Sequence, residues 1–305
     1  MNHSNNILLE NFDTIPFSKI KNEDYKIAIK ELINWQKKEI DSIITNNDTP
    51  NFKNTIEALE NSGEQLNRVA VLFSNINSAE TNESLQKIAK EINPLLTELS
   101  NDIMLNTSLF NRIKNVYDKR FQISLSVEEK TLLNNTYKNF SRNGANLNDS
   151  EKYTLRNIDK ELSLLTLKFN ENLLAETNNY EIHITDEKDL LGVPNGAREA
   201  SSILAKEKGK KGWLINMQIP SFLPFLKYSE NRDLRKKIKL SYESRCFLNS
   251  NFNNEENVLK ISKLRYQRAQ LLGYATHADF VLEESMAKNP SKVLSFLNEL
   301  LDKAM

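Results

Sequence analysis

Glycine and proline are scarce in this chain: seven of each in 305 residues. A β-sandwich or barrel needs turn residues at roughly every 8–12 positions, and they are not here. Neither G-x-G-x-x-G nor G-x-x-x-x-G-K occurs, so dinucleotide-binding and P-loop folds are also poorly served. Long helices joined by few turns remain, and the expected class is mainly α. The length allows one large domain or two ordinary ones, with ample core.

Charge narrows the partners. Lys and Arg total 41 against 41 Asp and Glu, a formal net charge of zero. A nucleic-acid or membrane-surface binder needs an excess of basic residues to meet phosphates, so neither partner is expected. The N-terminus lacks a basic segment followed by an apolar run, and no stretch approaches the ~18 apolar residues of a membrane span. A cytoplasmic location is the expectation. One cysteine, Cys246, excludes an internal disulfide and a cysteine-built zinc site. With no histidine near it in sequence, it reads as an inert thiol.

Apolar periodicity lays out the bundle. Asn22 or Asp24 caps a helix carrying Ile27, Ile29, Leu32, Ile33, Trp35, Ile40, Ile43 and Ile44, which Thr49-Pro50 closes. Ile56, Leu59, Gly63, Leu66, Ala70 and Phe73 recur at three-four spacing and predict one long helix, with Gly63 and Ala70 letting a partner approach closely. A further helix from about Asn82 contains Pro94, which should kink or split it. Another starts at Asn106, and Ser126 with Glu129 forms a capping box opening one more. Leu155, Ile158, Leu162, Leu165 and Phe169 predict a helix from Asp149 to about Glu176.

The rhythm changes at residue 180. Tyr180–Ile184 and Gly212–Ile219 alternate like strands around an Ala-rich helical insert ending at Gly209, and Pro220 and Pro224 should end this module. Helices resume at Asn231, near Glu255 and near Thr276. The last, capped by Asn289-Pro290, carries Val293, Leu294, Leu297, Leu300 and Leu301 and reads as cut rather than finished. The expected division is an N-terminal helical lobe (1–178), a small α/β module (179–228) and a helical start of a further domain (229–305).

Chemistry is sparse. His3, His183 and His277 are far apart in sequence, and none has a second histidine three or four residues away, so no helical metal pair exists. Glu128-Glu129, Glu255-Glu256 and Glu283-Glu284 read as solvated helix faces, and the Lys208–Lys211 cluster reads as a loop. No G-x-S-x-G elbow occurs. Composition and spacing yield no catalytic, metal-binding or substrate-binding residue.

Ordered segments add more. Pro16-Phe-Ser-Lys-Ile-Lys-Asn-Glu-Asp-Tyr and Phe52-Lys-Asn-Thr-Ile-Glu-Ala-Leu-Glu-Asn-Ser-Gly come first, then Phe140-Ser-Arg-Asn-Gly-Ala-Asn-Leu and Phe169-Asn-Glu-Asn-Leu-Leu. Thr185-Asp-Glu-Lys-Asp-Leu-Leu-Gly-Val-Pro, Arg265-Tyr-Gln-Arg-Ala-Gln-Leu-Leu-Gly-Tyr and His277-Ala-Asp-Phe-Val-Leu-Glu-Glu-Ser-Met-Ala follow. In this order they resemble the N-terminal half of thimet-oligopeptidase-like zinc metallopeptidases, in the peptidyl-dipeptidase and oligopeptidase A branch. The resemblance implies a cytoplasmic peptidase with a channel between two helical lobes, acting on short peptides. It also implies zinc held by H-E-x-x-H and a later glutamate. That motif is not in these 305 residues, so no family site is carried over. The resemblance therefore predicts a non-catalytic portion, one wall of the channel, inactive without a C-terminal catalytic half. The alternative is a stand-alone helical binding or scaffold protein derived from the same family.

Overall fold

Short polar residues start most helices of this computed structural model, which describes residues 6–247 and 250–305. The Asn82, Asn106, Asn231 and Asn289 side chains each accept a hydrogen bond from the backbone three residues on, and Ser126 and Glu129 cap each other reciprocally (2.7 and 3.1 Å). The helices are α1 (Asn22–Ile44), α2 (Ala58–Asn61), α3 (Glu64–Ala79), α4 (Glu83–Met104), α5 (Thr107–Asp118), α6 (Val127–Arg142), α7 (Asp149–Asn179), α8 (Asn195–Glu207), α9 (Ile219–Tyr228), α10 (Arg232–Glu243), α11 (Glu255–Leu271), α12 (His277–Leu282) and α13 (Pro290–Ala304). Strands β1 (Glu181–Ile184) and β2 (Trp213–Asn216) flank α8 in sequence. The class is mainly α with one small two-stranded sheet, as the periodicity predicts.

The chain forms two compact units, Met1–Leu164 with Leu264–Met305, and Leu165–Lys263. In the first, α1 packs against α3, α4 and α5. Tyr25, Ala28, Ile29, Leu32, Ile33, Ile40 and Ile43 form its buried stripe, while Ile27 and Trp35 fall outside it and stay exposed. Ile40, Ile43, Ile56, Leu109, Ile113, Leu133 and Phe140 close a second layer of the same core. Tyr117 and Tyr137 stack there with ring centroids 3.8 Å apart.

One sequence expectation fails in this unit. The predicted single helix through Ile56 and Phe73 is broken: a wide turn over Phe52–Glu57 leads into α2, and α3 starts afresh after Gly63. Gly63 has φ +74°, and a Cβ there would run into the Gln36 side chain of α1. Its N–H donates to Glu39 Oε2 at 2.8 Å. The glycine does admit a close partner, but as a break and not as a helical knob. Pro94 does not split α4, which runs through it with Ile88, Ile92 and Leu99 buried on either side. Packing on both flanks holds the helix across the one missing backbone hydrogen bond.

The second unit is built on the sheet. β1 and β2 pair antiparallel in the register Ile182↔Ile215 and Ile184↔Trp213. β2 touches both α8 and α9, so Leu214 and Ile215, pointing to opposite faces, are both buried. Ile182, Ile184, Leu190, Val193, Phe222, Phe225, Leu234 and Ile238 complete that core. Pro220 and Pro224 do not end the module as expected. They lie in α9, Pro220 in its first turn where a missing N–H costs nothing, and Phe222 and Phe225 between and after them fill the core under the sheet. Elsewhere in the unit, Asn254 Oδ1 accepts from Asn172 (2.9 Å) and Asn257 (2.7 Å), and its amide donates to the Phe169 carbonyl (3.0 Å), so both polar atoms of this buried amide are engaged.

Gly212 precedes β2 with φ +90°, and a Cβ would meet the Ile184 carbonyl oxygen of β1. Gly212→Ala should therefore cost at least about 2 kcal/mol in urea unfolding. Gly196→Ala, in α8 with nothing near its added methyl, should be neutral or stabilising by up to about 1 kcal/mol. Equal effects of the two would contradict the placement of this turn.

Candidate functional site

Arg142, in the last turn of α6, gathers polar contacts from the far end of the first unit's sequence. Its Nε donates to Glu283 Oε2 at 2.5 Å and to the Tyr274 hydroxyl at 3.2 Å, and Nη2 donates to the Phe280 carbonyl. Tyr274 in turn donates to Glu283 Oε2 at 2.7 Å. The guanidinium lies 4.7 Å from the Phe280 ring centroid, and Arg268 lies 5.0 Å from the same ring. Arg268 is held by Asp159 at 2.8 Å, and one turn back along α6 Lys138 pairs with Glu284 at 2.6 Å. Every cation in this group is matched by a carboxylate.

The hydrogen bond from Tyr274, opposed by partial burial and aided by Arg142, holds the Glu283 carboxyl below the usual range. Burial, followed by the Glu283 hydrogen bond, raises the Tyr274 phenol. Glu283 is thus ionised at neutral pH, with the neutral Tyr274 hydroxyl and Arg142 both engaged on it. Glu283 and Glu284 stay exposed, as the sequence reading expects of a solvated helix face, and each also makes a long-range ion pair. These carboxylates meet Arg142 and Lys138 more than 140 positions away, and no local spacing signals such a contact.

Beside this group opens a cavity of about 510 Å³, lined by α2, the end of α4, one face of α6 and Glu284. Leu59, Ile103, Met104, Leu132 and Phe140 give it apolar walls, with Glu60, Asn135 and Asn139 among its polar groups. Its size falls in the range of small-ligand sites, about 300–1,000 Å³. Composition and spacing give no hint of it.

The other residues weighed from sequence do not line this cavity. His183 is exposed on β1 with Nε2 2.6 Å from the Lys211 carbonyl. His277 is the first residue of α12 and half-buried, while His3 lies outside the described residues. Lys208 and Lys210 both pair with Glu181, at 3.1 and 2.6 Å. Cys246 is buried, and burial together with Glu176 pushes its thiol up to about 11. Among the described residues no group of three or more His, Cys, Asp or Glu side chains is placed to hold a metal ion. They do not fit a zinc site.

Comparison with known proteins supplies what the geometry does not. The sequence profile described as Peptidase family M3 matches residues 225–305. The chain is 32% identical over 289 residues to the dipeptidyl carboxypeptidase of Escherichia coli K12, covering 94% of this chain and 42% of that protein. The likeness is to peptidase family M3. Oligopeptidase A of Haemophilus influenzae is 30% identical over 295 residues, 95% of this chain and 43% of its own length. Saccharolysin of Saccharomyces cerevisiae is 26% identical over 277 residues, 90% and 38% respectively. The chain spans less than half the length of these M3 relatives, a share consistent with an N-terminal half. No described helix is long and apolar enough to cross a membrane.

Two outcomes follow from the titrating groups. Burial, with Arg265 and Arg268 adding to it, lowers His277 below its ordinary 6.5, so the unfolded chain binds this proton more readily than the folded one. Stability contributed by neutral His277 is present above 6.5 and falls as pH drops through that value. Urea midpoints from about pH 8 to pH 5 should decline in the native chain and decline less in His277→Gln; parallel profiles would contradict the assignment. Cys246 should resist thiol reagents in the folded protein and react at once in denaturant. Fast labelling of the native chain would show the thiol is not where it is placed.

Proposed function

We propose that this chain is the N-terminal, non-catalytic portion of a zinc metallopeptidase that hydrolyses short peptides in the cytoplasm. One observation carries the reading: nearly all of the chain matches proteins named as dipeptidyl carboxypeptidase and oligopeptidase A, yet it spans only 42–43% of their length. Hydrolytic zinc needs several ligands presented together with one position left open for water. The described residues supply no such group, and the H-E-x-x-H expected from the resemblance is not in the sequence. The metal and its ligands then belong to the other portion of the protein.

What the helical units contribute is shape. A bundle with close-packed cores holds a fixed wall, and a wall beside a reaction centre limits access to chains short and extended enough to pass. Specific side chains matter little for that role; rigidity does. The exposed apolar side chains of α13, Leu294, Phe296, Leu297, Leu300 and Leu301, are the observation that favours the competing reading of a stand-alone helical binding protein.

The purified 305-residue chain, supplied with zinc and incubated with a panel of short peptides, should release no products above the protein-free rate. Turnover abolished by a chelator would place the chemistry within this chain and overturn the proposal.

A further inference from the structure

The cavity in the first unit carries one charge that nothing neutralises. Of its two cations, Lys138 is bound to Glu284 at 2.6 Å and Arg142 to Glu283 at 2.5 Å. Glu60, at the end of α2, has no ion pair or hydrogen bond among the described residues. The cavity is thus apolar at its walls with one free carboxylate at its edge. Its complement is an ammonium attached to an apolar body, whereas an entering carboxylate would have to displace Glu283 or Glu284.

The amides on α6 refine the ligand class. Asn135 and Asn139 lie one helical turn apart and both line the cavity. The Asn135 carboxamide makes no hydrogen bond among the described residues. Asn139 Oδ1 accepts from Asn143 at 2.8 Å, which leaves the Asn139 amide N–H groups available to a carbonyl. A carboxamide offers both a donor and an acceptor, the same pair a peptide group presents.

We propose that this cavity binds the free α-ammonium end of a short peptide whose first side chain is apolar. Glu60 takes the ammonium, the walls formed by Leu59, Ile103, Met104 and Leu132 take the side chain, and Asn135 and Asn139 meet the first peptide group. This deepens the peptide-processing reading and assigns the chain a binding role of its own.

Calorimetric titration of the zinc-free chain tests it with Leu-Ala-Ala-amide, whose only charge is the ammonium, and with its N-acetylated form. The free peptide should bind about three- to tenfold more tightly than the acetylated one. Glu60→Gln, an exposed and isosteric change, should bring the two to the same affinity. Lys138→Gln releases Glu284 and should leave binding of the free peptide at least as tight. Equal binding of the two peptides by the native chain, binding of neither, or a Lys138→Gln loss as large as that of Glu60→Gln would overturn the site. No metal or turnover enters the measurement, so its failure leaves the hydrolysis result untouched, and the reverse holds as well.

Discussion

The first unit depends on burial of one face of α1. Seven of its side chains are buried, and α3, α4 and α5 all pack onto it. Fully burying a Leu or Ile contributes about 1.5–3 kcal/mol, far more than any exposed ion pair in the unit. Surface pairs such as Lys114–Asp118 and Lys26–Glu91 therefore decorate the bundle without holding it. The break at Gly63 belongs to the same constraint, because the chain must leave the α1 surface and return to it within a few residues. A left-handed residue anchored on Glu39 achieves this.

Polar groups matter where they are enclosed and matched. Asn254 in the second unit has its side-chain oxygen and nitrogen both engaged, so its burial carries little penalty. Arg142 is engaged at once by a carboxylate, a phenol, a carbonyl and an aromatic face. Such matching fixes the wall beside the cavity, and it leaves Glu60 as the exception. An unmatched charge at the edge of an apolar recess is the feature that gives the recess a ligand preference.

Much of this was legible in the sequence where the signal is short-range. Caps at Asn82, Asn106, Ser126 and Asn289 announce helix starts because the bond they make spans three residues. Strand alternation at Ile182 and Ile184 announces the sheet because a period of two has no helical counterpart. The break at Gly63 was hidden, since three-four spacing of apolar residues persists on both sides of it. Pro220 and Pro224 misled because proline signals both the end of one element and the first turn of the next. The Arg142–Glu283 contact and the cavity were invisible, as they join positions far apart and no pattern within one helix encodes them.

The function proposed for the chain is a division of labour in which close-packed helices would give shape and residues outside the chain would hold the hydrolytic metal. The two ordinary ways for this chain to hold zinc would be a histidine pair on one helix turn or a cluster assembled in space, and the described residues offer neither. Titrating the purified chain with zinc under equilibrium conditions tests this most directly. The account predicts only weak, non-saturating uptake; one tightly bound zinc ion per chain, released by a chelator with a change in the fold, would contradict it.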